Sequence, residues 1–331
     1  MNLTSPTQIK ELLTEEKIRP TKRFGQNFLI NKGILEKITD KADLKKDDLV
    51  LEVGPGLGVL TKELAKKSAM VLTIEKDIKM AAILKKVLKE KKIKNVKIIN
   101  EDILKLNLES GILNIKKGKG FSKLSAVGKK NKKRNESHSK ARQASAETFD
   151  EQMRQSWKSY KVVANIPYNI SSALIKKFLE ANIQPRKIIL MLQKELAQRI
   201  CKKDKMNLLA LSVQFYAEPK ILFYVSKKSF FPAPKVDSAI IKIIPKEKRA
   251  KSPEIFFKLI KAGFSSPRKL LIKNLSEKLK LEKGDLKKIF KKIKLSPKIR
   301  AEDLKLQDWL NLSTLIKNKY PPTNKTKLLK K

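Results

Sequence analysis

The sequence predicts an α/β protein with a mostly parallel sheet, followed by a smaller helical domain. Short apolar runs rich in β-forming residues alternate with stretches whose apolar residues recur every three or four positions, as in strands and amphipathic helices. A glycine-rich turn, Gly54–Gly58, joins the first of these runs to a helical stretch. Beyond Pro245 only the helical periodicity continues, with lysine-rich outer faces.

The individual elements follow from this pattern. The predicted strands are Leu49–Val53, Met70–Ile74, Val96–Ile99, Lys161–Ala164, Lys187–Leu192, Ile221–Val225 and Ala239–Ile244. The helices predicted between them include Thr61–Lys67, Ile78–Lys91 and Ser171–Glu180. The helical domain is predicted from Ser252 to about Lys317, with interruptions at Pro267, Gly284 and Pro297. We therefore divide the chain into residues 1–246, residues 247–318 and a basic tail, 319–331.

The charge of the chain indicates a polyanionic partner. Its 331 residues include 77 Lys and Arg against 33 Asp and Glu, a net charge of +44. Nucleic acid is favoured over anionic membrane, because no run of about eighteen apolar residues exists and no signal-peptide core begins the chain. One cysteine and one histidine exclude a disulfide and a Cys/His zinc site, so we expect a cytoplasmic protein without a metal.

A basic insertion separates the third and fourth predicted strands, at about residues 114–159. Between Lys116 and Lys158 it contains thirteen Lys or Arg and four Asp or Glu, with few apolar residues. This composition predicts a mostly unstructured segment. Two interpretations stay open: a solvated surface extension, or an arm that contacts RNA.

The glycine-rich turn predicts a nucleotide-type ligand. Glycines at 54, 56 and 58 permit a tight turn and a close approach to a ligand at the start of a helix. Glu75 ends the second strand, where a carboxylate can accept both hydroxyls of a ribose. Asp102 follows the third strand, where it can accept from an adenine amino group.

The segment Ala164–Ser172, directly after the fourth strand, predicts methyl transfer to an adenine amino group. That nitrogen is a poor nucleophile until acceptors of its protons draw it toward tetrahedral geometry. The Asn165 side-chain oxygen and the Ile166 carbonyl can do this, and Pro167 fixes the turn between them and Tyr168. Tyr168 can then stack on the base and hold the nitrogen in line with an activated methyl group.

With these motifs the chain resembles the small-subunit rRNA adenine dimethyltransferases, a family of class I S-adenosylmethionine-dependent methyltransferases. The resemblance covers roughly residues 20–110 and 160–312. Beside the glycine turn, its motifs are Arg23-Phe-Gly-Gln-Asn-Phe-Leu29, Asn165-Ile-Pro-Tyr168, Met191-Leu-Gln-Lys-Glu195 and Phe230-Phe-Pro-Ala-Pro-Lys-Val-Asp-Ser238.

The resemblance implies specific roles for individual residues. Contacts to S-adenosyl-L-methionine would fall on Asn27, Leu29, Gly54, Gly56, Glu75, Asp102 and Asn165. The catalytic residues would be Asn165, Ile166, Pro167, Tyr168 and Phe230, with Tyr168 and Phe230 sandwiching a flipped adenine. Candidate RNA contacts are Lys22, Arg23, Lys235, Arg268 and Lys269. In Phe264–Lys269, Pro267 stands where the family usually has the first of two arginines.

The resemblance further implies a Rossmann-like sheet of seven strands, the last antiparallel, with a helical domain that seats RNA. The implied reaction is the transfer of four methyl groups to two adjacent adenosines in a hairpin near the 3′ end of small-subunit rRNA. The implied partners are this rRNA and the immature small ribosomal subunit. We expect the protein to be a monomer that binds no membrane.

Three other functions compete with this hypothesis. A related enzyme class dimethylates an adenosine of large-subunit rRNA and shares the glycine turn and the Asn-Ile-Pro-Tyr motif. A non-catalytic assembly factor would use only the basic surface of the chain. An NAD-dependent dehydrogenase would need a proton-transfer residue, and the single histidine, His138, lies in the insertion.

Overall fold

A computed structural model of the chain describes residues 2–18, 27–108, 160–247 and 253–320. The chain forms two compact units. The first contains the described residues up to Lys194 together with Lys220–Pro245, and the second contains Glu195–Pro219 and the described residues from Lys246 onward. Residues 195–219, which the sequence assigned to the first domain, thus group with the helical unit. The insertion at 114–159 and tail residues 321–331 lie outside the described residues.

Nine strands and eleven helices are described. The strands are β1 (Phe28–Leu29), β2 (Leu49–Val53), β3 (Met70–Glu75), β4 (Val96–Asn100), β5 (Lys161–Asn165), β6 (Lys187–Gln193), β7 (Ala217–Val225), β8 (Phe230–Phe231) and β9 (Ser238–Pro245). The helices are α1 (Pro6–Glu15), α2 (Lys32–Ala42), α3 (Val59–Lys67), α4 (Ile78–Glu90), α5 (Ser171–Glu180), α6 (Lys194–Cys201), α7 (Leu208–Tyr216), α8 (Pro253–Gly263), α9 (Leu271–Leu279), α10 (Lys283–Lys292) and α11 (Leu306–Lys319).

Seven of the strands form one sheet in the order β4-β3-β2-β5-β6-β9-β7. The pairs β4-β3, β3-β2, β2-β5 and β5-β6 are parallel, and β9 runs antiparallel to β6. The prediction of a mostly parallel sheet whose last strand is antiparallel is confirmed. In this arrangement β2, β3, β4 and β5 all end at the same edge of the sheet.

The sheet is stabilised by apolar residues from the strands and the helices beside them. All five residues of β2 are buried. One core cluster joins residues of four parallel strands, Val50, Val71, Val163 and Ile189, to buried residues of α2 and α3. A second cluster packs α1 against α4. Apart from β7, the predicted strand bounds agree with the structure to within one residue, because most of these apolar runs are the buried strands themselves.

The helical unit has its own core. Helices α7, α8, α9, α10 and α11 pack around aromatic residues that include Phe215, Phe256 and Trp309. Gly284 was predicted as a break between helices, but it lies within the first turn of α10. Backbone N–H groups of a first turn need no partner inside the helix, so glycine is tolerated there. Across the described ranges, no helix is both long and apolar enough to span a membrane.

Candidate active site

A cavity of about 300 Å³ opens at the edge where the parallel strands end. Ligands of open α/β sheets bind at this edge, because the loops after the strands diverge there. Most of the residues lining the cavity come from the segment before α2 and from the carboxyl ends of β2, β3, β4 and β5 with the loops that follow them. Leu35, Val59 and Leu60 come from helices α2 and α3. They include Asn27, Leu29, Gly54, Gly56, Glu75, Asp102, Asn165, Ile166, Pro167 and Tyr168. All of the predicted cofactor residues therefore lie around one cavity.

The glycine turn between β2 and α3 requires glycine for two physical reasons. Gly54 and Gly58 have φ angles of +67° and +83°, which side chains other than that of glycine rarely adopt. A Cβ atom on Gly58 would lie 2.4 Å from a methyl carbon of Leu84 in α4. The turn is fixed to β3 by the Gly54 N–H, which donates to the Ile74 carbonyl at 2.9 Å.

Glu75 is held at the end of β3 by backbone donors. Its Oε1 accepts from the Asp77 N–H at 2.9 Å, and the Gly56 N–H also donates to the carboxylate. Burial raises the pKa of Glu75, and these backbone donors oppose that shift. The carboxylate is thereby oriented beside the glycine turn, as a contact to a ribose requires.

Asp102 lies in a turn after β4 and already has two donors from the protein. Its Oδ1 accepts from the Leu104 N–H at 3.0 Å, and its Oδ2 lies 2.9 Å from the Lys76 Nζ. The hydrogen bond from Lys76 lowers the pKa of Asp102. The carboxylate is therefore an ionised acceptor in the cavity wall.

The Asn165–Tyr168 segment begins at the last residue of β5 and continues into a short 3₁₀ turn. The Asn165 Nδ2 makes a long contact of 3.5 Å to the Asn27 carbonyl, which turns the amide nitrogen toward the protein. The Tyr168 hydroxyl and the Ser238 Oγ are 2.7 Å apart. Burial raises the pKa of Tyr168, so the hydroxyl stays neutral near pH 7. The tyrosine ring is thus fixed at its far end.

Glu52 is a cavity residue that sequence reasoning missed. It is fully buried in the middle of β2, lines the cavity, and accepts a hydrogen bond from the Thr61 Oγ1 at 2.6 Å. Burial raises the pKa of Glu52 from 4.5 to about 8. An acidic residue inside the apolar run Leu49–Val53 was the available signal. Ser238, the partner of Tyr168, ends the motif Phe230–Ser238, but that motif indicated no role for it.

The charge of the cavity is opposite to that of the chain. The described residues that line it include the carboxylates of Glu75, Glu101 and Asp102 and one basic side chain, Lys76, while the raised pKa of Glu52 keeps that fourth acid protonated near pH 7. In a chain of net charge +44, such a cavity disfavours a polyphosphate ligand and favours a cationic or neutral one. This argues against a pyrophosphate-containing dinucleotide.

Phe230, the fifth predicted catalytic residue, is buried outside the cavity wall. Phe230 is 3% exposed, pairs with Leu29 in the two-stranded sheet of β1 and β8, and is not among the residues lining the cavity. Its ring packs in the core because the strand pairing directs it there. Lys235 and Arg268 are exposed, and Lys269 forms an exposed ion pair with Glu277 at 3.1 Å. Lys22 and Arg23 lie outside the described residues.

Comparison with known proteins decides what kind of protein carries this site. The family model described as ribosomal RNA adenine dimethylase matches residues 18–318. The chain belongs to this family. In this family member the Asn-Ile-Pro-Tyr segment and the glycine turn line the same cavity.

Individual relatives agree with this assignment. A protein from Dehalococcoides mccartyi named ribosomal RNA small subunit methyltransferase A is 35% identical over 309 residues, covering 92% of this chain and 91% of the relative. The crystal structure of a dimethyladenosine transferase from Plasmodium falciparum is similar with a TM-score of 0.62 and 26% identity, covering 88% and 98% of the two chains. The crystal structure of the 23S rRNA methyltransferase ErmE, at 21% identity and a TM-score of 0.60 over 87% and 98%, shares the fold. The predicted class I methyltransferase fold is confirmed.

Proposed function

We propose that the protein transfers methyl groups from S-adenosyl-L-methionine to the 6-amino groups of two adjacent adenosines in a 3′ hairpin of small-subunit rRNA. The observation that carries this proposal is the position of Asn165–Tyr168 in the same cavity as the glycine turn, Glu75 and Asp102. Membership in the ribosomal RNA adenine dimethylase family supports the reaction. Relatives named for the small subunit support it over the large-subunit alternative.

The residues of the cavity fit S-adenosylmethionine. The cavity volume of about 300 Å³ is at the lower end of the range for small-molecule pockets, about 300–1,000 Å³. The acidic lining suits a ligand with a sulfonium and an ammonium group. Glu75 would hold the ribose hydroxyls and Asp102 the adenine amino group, with the glycine turn, Asn27 and Leu29 around the remaining atoms. When bound, this cofactor supplies an electrophilic methyl group.

Asn165 and Ile166 would prepare the substrate nitrogen. The adenine amino group has its lone pair delocalised into the ring, and acceptors for its two protons localise that lone pair. Asn165 and Ile166 line the cavity, and the amide nitrogen of Asn165 is turned toward Asn27, so the Asn165 Oδ1 and the Ile166 carbonyl would be the acceptors. No strong base is required, because the methylated ammonium loses its proton readily to water.

Tyr168 would hold the flipped base. Base–aromatic stacking contributes about 1–3 kcal/mol per base, and the bond to Ser238 limits rotation of the tyrosine ring. The buried Phe230 would have to turn toward the cavity to contact the other face, so the proposal depends on Tyr168 alone. We assign the phosphate contacts to Lys22, Arg23, Lys235, Arg268 and Lys269. Because the proposed substrate is the immature small subunit, the protein would act in the cytoplasm.

The proposal is tested with small ribosomal subunits from a strain that lacks this modification. The purified protein is incubated with them and methyl-labelled S-adenosylmethionine, and labelled nucleotides are mapped by mass spectrometry. We expect two adjacent N(6)-dimethyladenosines in the 3′ hairpin. Label in large-subunit rRNA alone would favour the large-subunit alternative. Tight subunit binding without any label would favour an assembly factor.

A further inference from the structure

A salt bridge lies on the predicted acceptor of the adenine amino group. The Lys76 Nζ is 2.9 Å from the Asp102 Oδ2, and both residues line the cavity. The other oxygen of Asp102 accepts from the Leu104 N–H at 3.0 Å. Each oxygen of the carboxylate therefore has a donor from the protein before any ligand binds.

The two partners of this salt bridge differ in exposure. The Lys76 side chain is 59% exposed, whereas the Asp102 side chain is 19% exposed. The ammonium of lysine is a compact, strongly hydrated charge on a flexible stem. Lys76 can therefore leave Asp102 for water at small cost, while Asp102 stays in the cavity wall because Leu104 holds its turn.

A ligand amino group and the Lys76 ammonium need the same acceptor. When an adenine amino group donates to Asp102, Lys76 must share the Oδ2 lone pairs or move away. Breaking an exposed ion pair costs about 0–1 kcal/mol. When Lys76 moves away, that cost is subtracted from the binding free energy of the ligand that displaces it.

We propose that Lys76 acts as a displaceable competitor for Asp102 and weakens binding of the adenosyl cofactor. This inference rests on the proposed function, since it assumes that Asp102 accepts the adenine amino group. Lys76 weakens S-adenosylmethionine and S-adenosylhomocysteine alike, because both carry the same adenine. Loss of Lys76 leaves Asp102 an ionised acceptor, since Leu104 and Lys105 also lower its pKa.

The test is calorimetric titration of S-adenosylhomocysteine into the full-length wild type, Lys76→Met and Lys79→Met. Lys79 is an exposed lysine in the first turn of α4 and does not line the cavity, so Lys79→Met controls for the loss of one positive charge nearby. We expect Lys76→Met to bind about two- to fivefold more tightly, the range that an exposed ion pair allows. Lys79→Met should bind like the wild type.

Two further titrations separate competition at Asp102 from a change in packing. At about 1 M NaCl, where the screening length is about 3 Å, the affinity difference between Lys76→Met and wild type should shrink toward zero. S-inosylhomocysteine has a carbonyl in place of the amino group, so Lys76→Met should bind it no more tightly than wild type does.

Each outcome is decisive. Equal or weaker binding of S-adenosylhomocysteine to Lys76→Met would overturn the inference, and so would an equal gain in Lys79→Met. If neither wild type nor Lys76→Met binds S-adenosylhomocysteine at all, the proposed function fails as well, and this result is distinguishable from the other two.

Discussion

At the amino ends of β2, β5 and β6, buried Asp48 forms ion pairs with Lys161 at 2.7 Å and Arg186 at 3.0 Å. Its Oδ2 also accepts from the Lys45 N–H, and the Lys161 Nζ donates to the Asp43 carbonyl. Every charge of this cluster has a partner within the protein. At the carboxyl ends of the same sheet, Glu75 is held by backbone N–H groups, and Lys76 in the cavity wall is 59% exposed.

The comparison indicates that charged residues at the two ends of the sheet have different roles, in folding at the amino ends and in ligand binding at the carboxyl ends. Buried ions whose partners are all internal restrain the strands and bind nothing else. Acids held by backbone donors at a cavity keep acceptor capacity for a ligand. The amino-end cluster should therefore determine stability and the carboxyl-end cluster activity.

The largest expected effect comes from breaking the amino-end cluster. Asp48→Asn leaves Lys161, which is 2% exposed, without its carboxylate. Removing one partner of a buried ion pair costs about 3–5 kcal/mol. We expect a loss of that size in the free energy of unfolding, measured by urea denaturation with circular dichroism. The control Asp40→Asn breaks the exposed pair with Lys67 and should cost at most about 1 kcal/mol. Equal losses in both variants would contradict this role.

A substitution in the cavity at the carboxyl ends of the strands should remove activity without unfolding the protein. Asn165→Ala deletes one of two acceptors for the substrate amino group, and loss of one such polar group typically costs about 10²–10³-fold in rate. Single-turnover methyl transfer should fall by that factor while RNA affinity, measured by filter binding, is retained. Asn311→Ala, an exposed amide on α11, is the control and should methylate normally. Normal methylation by Asn165→Ala would refute the amine-polarising role.

The smallest expected effect is on the pH dependence of stability, and it comes from Glu52, the fourth of the five residues of β2. Its pKa is raised to about 8 by burial, so the folded protein retains a proton that the unfolded chain releases above pH 4.5. Stability must therefore fall as pH rises through this window and level off above about pH 8. Glu52→Gln should lack this part of the pH slope, a difference of about 1–3 kcal/mol between pH 5 and 8. The melting temperatures of wild type and Glu52→Gln across that range check it, with Glu36→Gln as the exposed control. Parallel slopes in the wild type and Glu52→Gln would show that Glu52 is ionised in the folded protein.

Much of the sheet could be predicted because burial and sequence pattern coincide there. β2 has the predicted bounds, whereas β7 begins at Ala217 rather than the predicted Ile221. β7 is an edge strand of the sheet, and its first residues include exposed polar side chains that hide the strand pattern. The β1-β8 pair was not predicted, because two-residue strands have no periodicity.

The cavity was predictable in part. Glu75 and Asp102 were identified because parallel strands bring their carboxyl ends together. The ion pair of Lys76 with Asp102 was not predicted, since side-chain conformation decides it. Phe230 was predicted to face the substrate, and its backbone pairing with Leu29 is a long-range contact that no local motif encodes.

The assignment of stability to the amino ends of the strands and of chemistry to their carboxyl ends is tested most directly by one measurement. This is the single-turnover methyl-transfer rate of Asp48→Asn and Asn165→Ala, at a temperature where circular dichroism shows both variants folded. We predict that Asp48→Asn methylates within about threefold of wild type, while Asn165→Ala is at least about a hundredfold slower. Similar losses in both variants, or a larger loss in Asp48→Asn, would contradict the assignment of stability to one end of the sheet and chemistry to the other.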